Sequence, residues 1–347
     1  MEDRRIALDY DGMLYRKIVP AYRYDGSESM ESWQERAYAR LWQLLGLDKF
    51  EKPSDDMFST EDSFEMHGVK VIPFSFQSED GYFVPGYIAL PKKHRGEKLP
   101  LCICLQGHST GMHNSLYMNY DRTPMVDEQI KEVVSGDRDF CNRAVQEGYA
   151  AICIEQRYMG LTGTFREKPG CSGLQSMASL MLGRTAIGCR VWDVMRLIDS
   201  VEKNLDYINT DNIVCLGNSG GGTATFYAAC IEKRIKYAIP SCAFCTYRDS
   251  IIDIRHCACN YIPNIAYDFD MGDLAGLIAP RNLIIVNGKI DNIFPDFGVH
   301  EAFDIAKASF DAFGGKIELV TGEGGHRFYA DPAYEVLHKF EKENGIR

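Results

Sequence analysis

Ile213-Val214-Cys215-Leu216-Gly217-Asn218-Ser219-Gly220-Gly221-Gly222-Thr223-Ala224 joins an apolar run to a small-residue run through a Gly-x-Ser-x-Gly pentapeptide. The apolar half has the β-branched character of a buried strand, and Thr223 to Ala229 reads as the start of a helix. Strand, sharp turn and helix therefore follow one another, with Ser219 at the apex. A serine in so tight a turn needs small neighbours, and Gly217 and Gly221 provide them. In a chain with 31 glycines the pentapeptide alone carries little weight. Its surroundings have to decide what it means.

Working outward, the pattern alternates. Leu99 to Leu105 is an apolar run suited to a strand buried on both faces, and it ends at Gln106-Gly107-His108. A helix is predicted over 138–147, a strand over 149–154, a helix over 184–202 and a strand over 212–216. Strands over 237–240, 282–286 and 316–320 follow, with helices over 297–313 and 332–343. Such alternation implies an α/β fold with a mainly parallel sheet and helices on both faces. Ahead of it, 69–76 and 82–90 flank Asp80-Gly81 as an antiparallel hairpin, and Pro73 and Pro85 point to edge or twisted positions.

The first 60 residues read as a helical arm packed on a catalytic domain of residues 61–347. Residues 9–25 have no period and read as irregular. Ser32 and Glu35 resemble a capping box, and Trp33, Ala37, Leu41, Leu44 and Leu45 recur at helical spacing. Three long connections, 109–137, 156–183 and 241–280, follow predicted strand ends, where open α/β sheets bind ligands. Segments of that length imply lid-like insertions carrying some helix.

Composition narrows the classes. A net charge of -11 with no basic run argues against a nucleic-acid partner and mildly against a polyanionic substrate. Met1-Glu2-Asp3-Arg4-Arg5 is followed by no apolar signal region and no stretch has the length of a membrane span, so no membrane partner and a cytoplasmic location are expected. Several of the 12 cysteines, Cys102, Cys104, Cys153 and Cys215 among them, fall in strand-like runs and read as reduced, buried thiols. Cys242-x-x-Cys245 and His256-Cys257-Ala258-Cys259 contain zinc-type ligands. Cys242 and Cys245 follow a core strand, however, and Cys-x-Cys is a poor bite for one metal, so these too read as thiols. No metal and no organic cofactor is expected.

Downstream of Ser219 lie Asp291, in the Gly-x-x-Asp loop Gly288-Lys289-Ile290-Asp291, and His326, in the glycine loop Gly322-Glu323-Gly324-Gly325-His326 after the last predicted strand. That order of serine, acid and histidine resembles the α/β-hydrolases from about Lys70 to the C-terminus. The resemblance implies an α/β-hydrolase fold in which Ser219 is the nucleophile, His326 the base and Asp291 the carboxylate that orients it. Asp296 is the alternative acid, read more simply as a carboxylate at a helix N-terminus. Matching Gln106-Gly107-His108 to the His-Gly-x segment of esterases implies an oxyanion hole made by the backbone N–H groups of Gly220 and His108.

Within that superfamily the entry hairpin, the helix Gly188 to Asp199 and the acid loop resemble dienelactone-hydrolase-like and acetyl-xylan-esterase-like enzymes. The departures are specific. Ser219 stands where dienelactone hydrolases have cysteine, and Gly220 stands where deacetylases of the second group have glutamine. Gly220 is therefore expected to leave open space beside the nucleophile. Tyr117, Met118, Tyr120, Met125, Tyr158 and Met159 either line an acyl or sugar pocket or pack a lid. The implied activity is serine carboxylic-ester hydrolysis through an acyl-enzyme on a small ester, with acetylated carbohydrate one option. A prolyl-oligopeptidase-type peptidase and a non-catalytic binding protein are the alternatives.

Overall fold

A computed structural model describes residues 7–92, 97–108, 111–163 and 173–347. One sheet contains β1 Phe58–Thr60, β2 Phe64–Met66, β3 Val69–Glu79, β4 Tyr82–Pro91, β5 Leu99–Leu105, β6 Ala150–Ile154, β7 Ile208–Asn218, β8 Ile235–Ser241, β9 Asn282–Gly288 and β10 Lys316–Gly322. Its spatial order is β1-β3-β4-β6-β5-β7-β8-β9-β10, with β2 also on β3. From β6 through β10 every pairing is parallel, and the hairpin β3–β4 joins antiparallel to β6. The expected mainly parallel sheet with an antiparallel N-terminal hairpin is what forms.

The helices are α1 Ala7–Tyr15, α2 Met30–Leu44, α3 Asp127–Ser135, α4 Phe140–Gln146, α5 Gly173–Met181, α6 Ala186–Asn204, α7 Gly220–Ile231, α8 Ile265–Asp268, α9 Met271–Leu274, α10 Asp296–Phe313 and α11 Ala330–Glu343. Successive strand side chains alternate between faces. In β5, Leu101, Ile103 and Leu105 enter the core under α2, α6 and α7, while Cys102 and Cys104 enter a second core with α4 and α11. The central strand β7 divides likewise, Cys215 to one side and Val214 and Leu216 to the other. No helix among the described residues is long and apolar enough to cross a membrane.

Three expectations about the N-terminal third need correction. Residues read as irregular include most of α1, whose last residue, Tyr15, donates its hydroxyl to Asp270 at 2.9 Å. Tertiary contact completes a helix that its own sequence signals weakly. Second, α2 starts earlier than the Ser32 to Glu35 pattern predicts: Ser29 is the cap, its hydroxyl accepting from the Ser32 N–H at 3.2 Å. Third, β3 and β4 are interior strands. Their prolines are paired within the hairpin but sit where pairing on the opposite side is interrupted: β2 pairs with 69–71 and β1 with 74–76, leaving Pro73 between them. Pro85 lies one residue beyond the β4–β6 ladder, which begins at Gly86. A missing N–H is tolerated at such gaps.

The expected helical stripe does pack on the rest of the chain. Trp33, Ala37, Leu41 and Leu45 are buried in the main core, and each buried leucine contributes roughly 1.5–3 kcal/mol. Gln34 Nε2 donates to the carbonyls of Gly276 and Ala279 at 2.8 and 2.7 Å, fixing the helix on the connection that follows β8.

The connection after β6 is tied down by charge. Arg157 and Asp193 of α6 are both buried and paired, Nε to Oδ2 at 3.0 Å, and Arg157 also pairs with Glu79. Removing one partner of a buried pair strands the other. Asp193→Ala should therefore destabilise the protein by about 3 kcal/mol, visible as a lower urea midpoint at unchanged slope.

Candidate active site

All six parallel strands end at one edge of the sheet, and the segments leaving β5, β7, β9 and β10 carry the candidate residues. Ser219 lies between β7 and α7 with φ 56 and ψ -124, a left-handed conformation that a side chain adopts only under constraint. The constraint is visible. Ser219 N–H donates to Ser241 O at 2.8 Å, and the Thr223 N–H and hydroxyl donate to Ser219 O at 2.8 and 3.1 Å. The flanking glycines are required, as expected: a Cβ on Gly217 would lie 2.5 Å from Leu105 O, and one on Gly221 would lie 2.0 Å from the same atom. Since α7 begins at Gly220, its first N–H groups lack intrahelical partners and point their positive end at the serine turn.

His326 Nδ1 lies 2.8 Å from Asp291 Oδ2. The two loops are built against each other: the Ile290 N–H donates to Gly324 O at 3.1 Å, and Lys289 N–H to Gly322 O at 2.8 Å. Asp291 Oδ1 accepts the N–H groups of Ile293 and Phe294 at 2.8 and 3.2 Å, which fixes the carboxylate. Burial pushes the Asp291 carboxyl up, but His326 and the two N–H donors outweigh it and hold it below the usual carboxylate range. With Nδ1–H donated to Asp291, the His326 Nε2 lone pair is left free to face away from it. Asp296, the alternative acid, instead accepts from Asn287 Nδ2 at 2.7 Å.

Ser219 and His326 line one cavity of about 170 Å³, together with Gly107, His108, Asn114 and Arg138. A neighbouring cavity of about 370 Å³ shares His108, Asn114 and Arg138 and is lined further by Met118, Tyr120 and Met125. Three of the six residues weighed for a pocket are thus at its wall. Tyr117 donates its hydroxyl to Asp139 at 2.5 Å, and the Tyr158 hydroxyl pairs with that of Ser179 at 2.7 Å, so these two fasten the insertions. Met159 packs over Gly220.

That packing overturns the expected open space beside the nucleophile. A Cβ on Gly220 would lie 2.8 Å from the His108 imidazole and 2.8 Å from the Met159 methyl. Glycine here admits the His108 ring. The chain before His108 is as close to the serine turn, since a Cβ on Gly107 would lie 2.7 Å from Asn218 O and 3.1 Å from Ser219 Cβ. Gly220 and His108, expected to supply the oxyanion donors, therefore both border Ser219.

Sequence reasoning passed over Glu155. This fully buried carboxyl accepts from Gln106 Nε2 at 2.6 Å, and Gln156 Nε2 donates to Gln106 O. Burial pushes Glu155 up to about 8 against the opposing pull of the Leu161 and Met112 N–H groups and the Gln106 amide. The pair holds the segment 106–108 in place. Two polar residues directly after the wholly apolar β6, beside another polar residue after β5, were the available signal.

The thiols behave mostly as small hydrophobes. All but Cys257 of the eleven described cysteines are buried. Cys242 lies against Asp291 and His326, its thiol donating to Arg327 O at 3.2 Å, while Cys245 reaches Pro295 O. His256 is held by Ser250 Oγ at 2.9 Å and by Asn260. The Cys-x-x-Cys pair and His256 are thus engaged separately.

No protein-family model matches the chain. It is 27% identical over 224 residues, 62% of this chain and 68% of the other, to the "Putative hydrolase YtaP" of Bacillus subtilis (strain 168). Among solved structures it is similar to a "putative acetyl xylan esterase" of Bacteroides fragilis NCTC 9343, with TM-score 0.72 and 15% identity over 93% of this chain and 84% of that one. It is also similar to a glucuronoyl esterase of Solibacter usitatus, with TM-score 0.68 and 15% identity over 94% and 98% of the two chains. Parallel strands β5 to β10, the serine turn from β7 into α7 and these likenesses together identify the fold as that of the α/β-hydrolases.

Proposed function

We propose that the protein is a serine carboxylic-ester hydrolase acting through an acyl-enzyme on a small ester carried by a carbohydrate. The observation that carries the reading is the strained Ser219 turn in one cavity with His326, whose Nδ1 is held 2.8 Å from Asp291. Ser219 Oγ attacks the ester carbonyl while His326 Nε2 takes its proton. Asp291 fixes the imidazole tautomer and stabilises the imidazolium. Negative charge on the carbonyl oxygen is met by the N–H groups of Gly220 and His108 and by the positive end of α7, each oxyanion donor contributing about 3 kcal/mol. His326 returns the proton to the leaving alcohol, then activates the water that frees the acid.

The cavity dimensions support a small acyl group in a recess of about 170 Å³ that shares His108, Asn114 and Arg138 with the larger one. Asn114, Asn119, Gln129 and Tyr120 line that larger recess and offer the amide and aromatic surface that a sugar ring requires. The acetyl xylan and glucuronoyl esterases among the fold relatives accord with this choice.

Substrate class is tested by comparing acetylated sugars, uronate methyl esters, p-nitrophenyl acetate and aminoacyl p-nitroanilides. Sugar esters should give the highest kcat/KM and anilides the lowest. Faster anilide cleavage would replace the esterase reading with a peptidase.

A further inference from the structure

His108 stands at the end of β5, and Cys257 and Cys259 sit in the connection after β8, Cys259 within a 3₁₀ turn at Ala258–Asn260. The fold brings them together. Cys259 Sγ lies 3.3 Å from His108 Nε2, and the three donor atoms, two sulfurs and one imidazole nitrogen, all fall within 4.8 Å of one another. Zn–S and Zn–N bonds at tetrahedral angles require S···N edges of about 3.6 Å and an S···S edge of about 3.8 Å. The group is therefore within about 1 Å of that geometry, a change that side-chain rotation supplies. By itself Cys-x-Cys grips a metal poorly; here an imidazole from the segment after β5 joins the two sulfurs.

The chemistry of the donors selects the ion. Two thiols and an imidazole, with no carboxylate in the group among the described residues, favour zinc over magnesium, calcium or manganese. Access is also provided, because His108 and Cys257 are half-buried and His108 lines both active-site cavities, while Cys259 is buried. We propose that His108, Cys257 and Cys259 bind a zinc ion at the wall of the active-site cleft. The ion ties the insertion after β8 to the segment that follows β5. It is distinct from the neighbouring group of Cys242, Asp291 and His326, where the carboxylate and Nδ1 already bind each other.

The reduced full-length protein should be titrated with Co²⁺ and followed by thiolate-to-cobalt absorption, then with Zn²⁺ in competition. One cobalt per chain with a thiolate band that Zn²⁺ displaces is expected. Cys257→Ser and His108→Gln should each weaken binding by more than the roughly 10- to 100-fold that loss of an outer-shell partner causes. Cys242→Ser should leave the band intact. The half-buried Cys257 can be changed without opening the core, and circular dichroism checks each variant's fold. No thiolate band in the folded wild type, a band surviving Cys257→Ser, or one lost in Cys242→Ser would overturn the proposal.

Discussion

Ser219→Ala should lower kcat for ester hydrolysis by on the order of 10⁴- to 10⁶-fold while changing KM little. The proposed oxyanion donors and the two cavities survive the change, so some acceleration over water should remain. A companion substitution isolates the backbone. At φ 56 and ψ -124 an alanine is as constrained as the native serine, whereas glycine adopts the conformation freely. Relief of about 1–3 kcal/mol of strain, less about 0.5–1 kcal/mol for glycine's unfolded-state entropy, leaves Ser219→Gly more stable than Ser219→Ala by about 1 kcal/mol. Chemical denaturation of the two variants measures this directly, and equal midpoints would mean that the turn stores no strain.

Asp291→Asn is the second large effect, a loss of about 10⁴-fold in kcat. The reason is directional. The N–H groups of Ile293 and Phe294 already claim Oδ1, so an asparagine must place its carbonyl there and turn its NH₂ toward His326 Nδ1. Nδ1 then accepts, the ring proton moves to Nε2, and the base is lost without any change of shape. Asp296→Asn, which alters only the contact with Asn287 and the region of His300, should keep activity within about threefold of wild type on this account. If instead the Asp296 variant were inactive and the Asp291 variant active, the acid would have to be reassigned.

Much of this site could be read from the chain because its parts are local. A strand-turn-helix serine, an aspartate after one strand and a histidine after the last each leave a mark within a few residues. Strands β5 to β9 were legible for a related reason: parallel strands buried on both faces are short apolar runs bounded by turn residues. What escaped depends on distant residues meeting. Glu155 reads as an ordinary acid until β6 is placed beside β5 and its carboxyl meets Gln106. The space beside Gly220 reads as empty until His108 and Met159 are laid over it. The same holds for α1, whose helix leans on Asp270, and for Cys257 and Cys259, which acquire a third donor only through the fold.

Fluorophosphonate labelling of the folded protein, followed by peptide mapping, tests the central claim most directly. The account predicts a single adduct on Ser219, absent in Ser219→Ala and formed far more slowly in Asp291→Asn. Folded wild-type protein that takes up no label, or that takes it up on another residue, would contradict it.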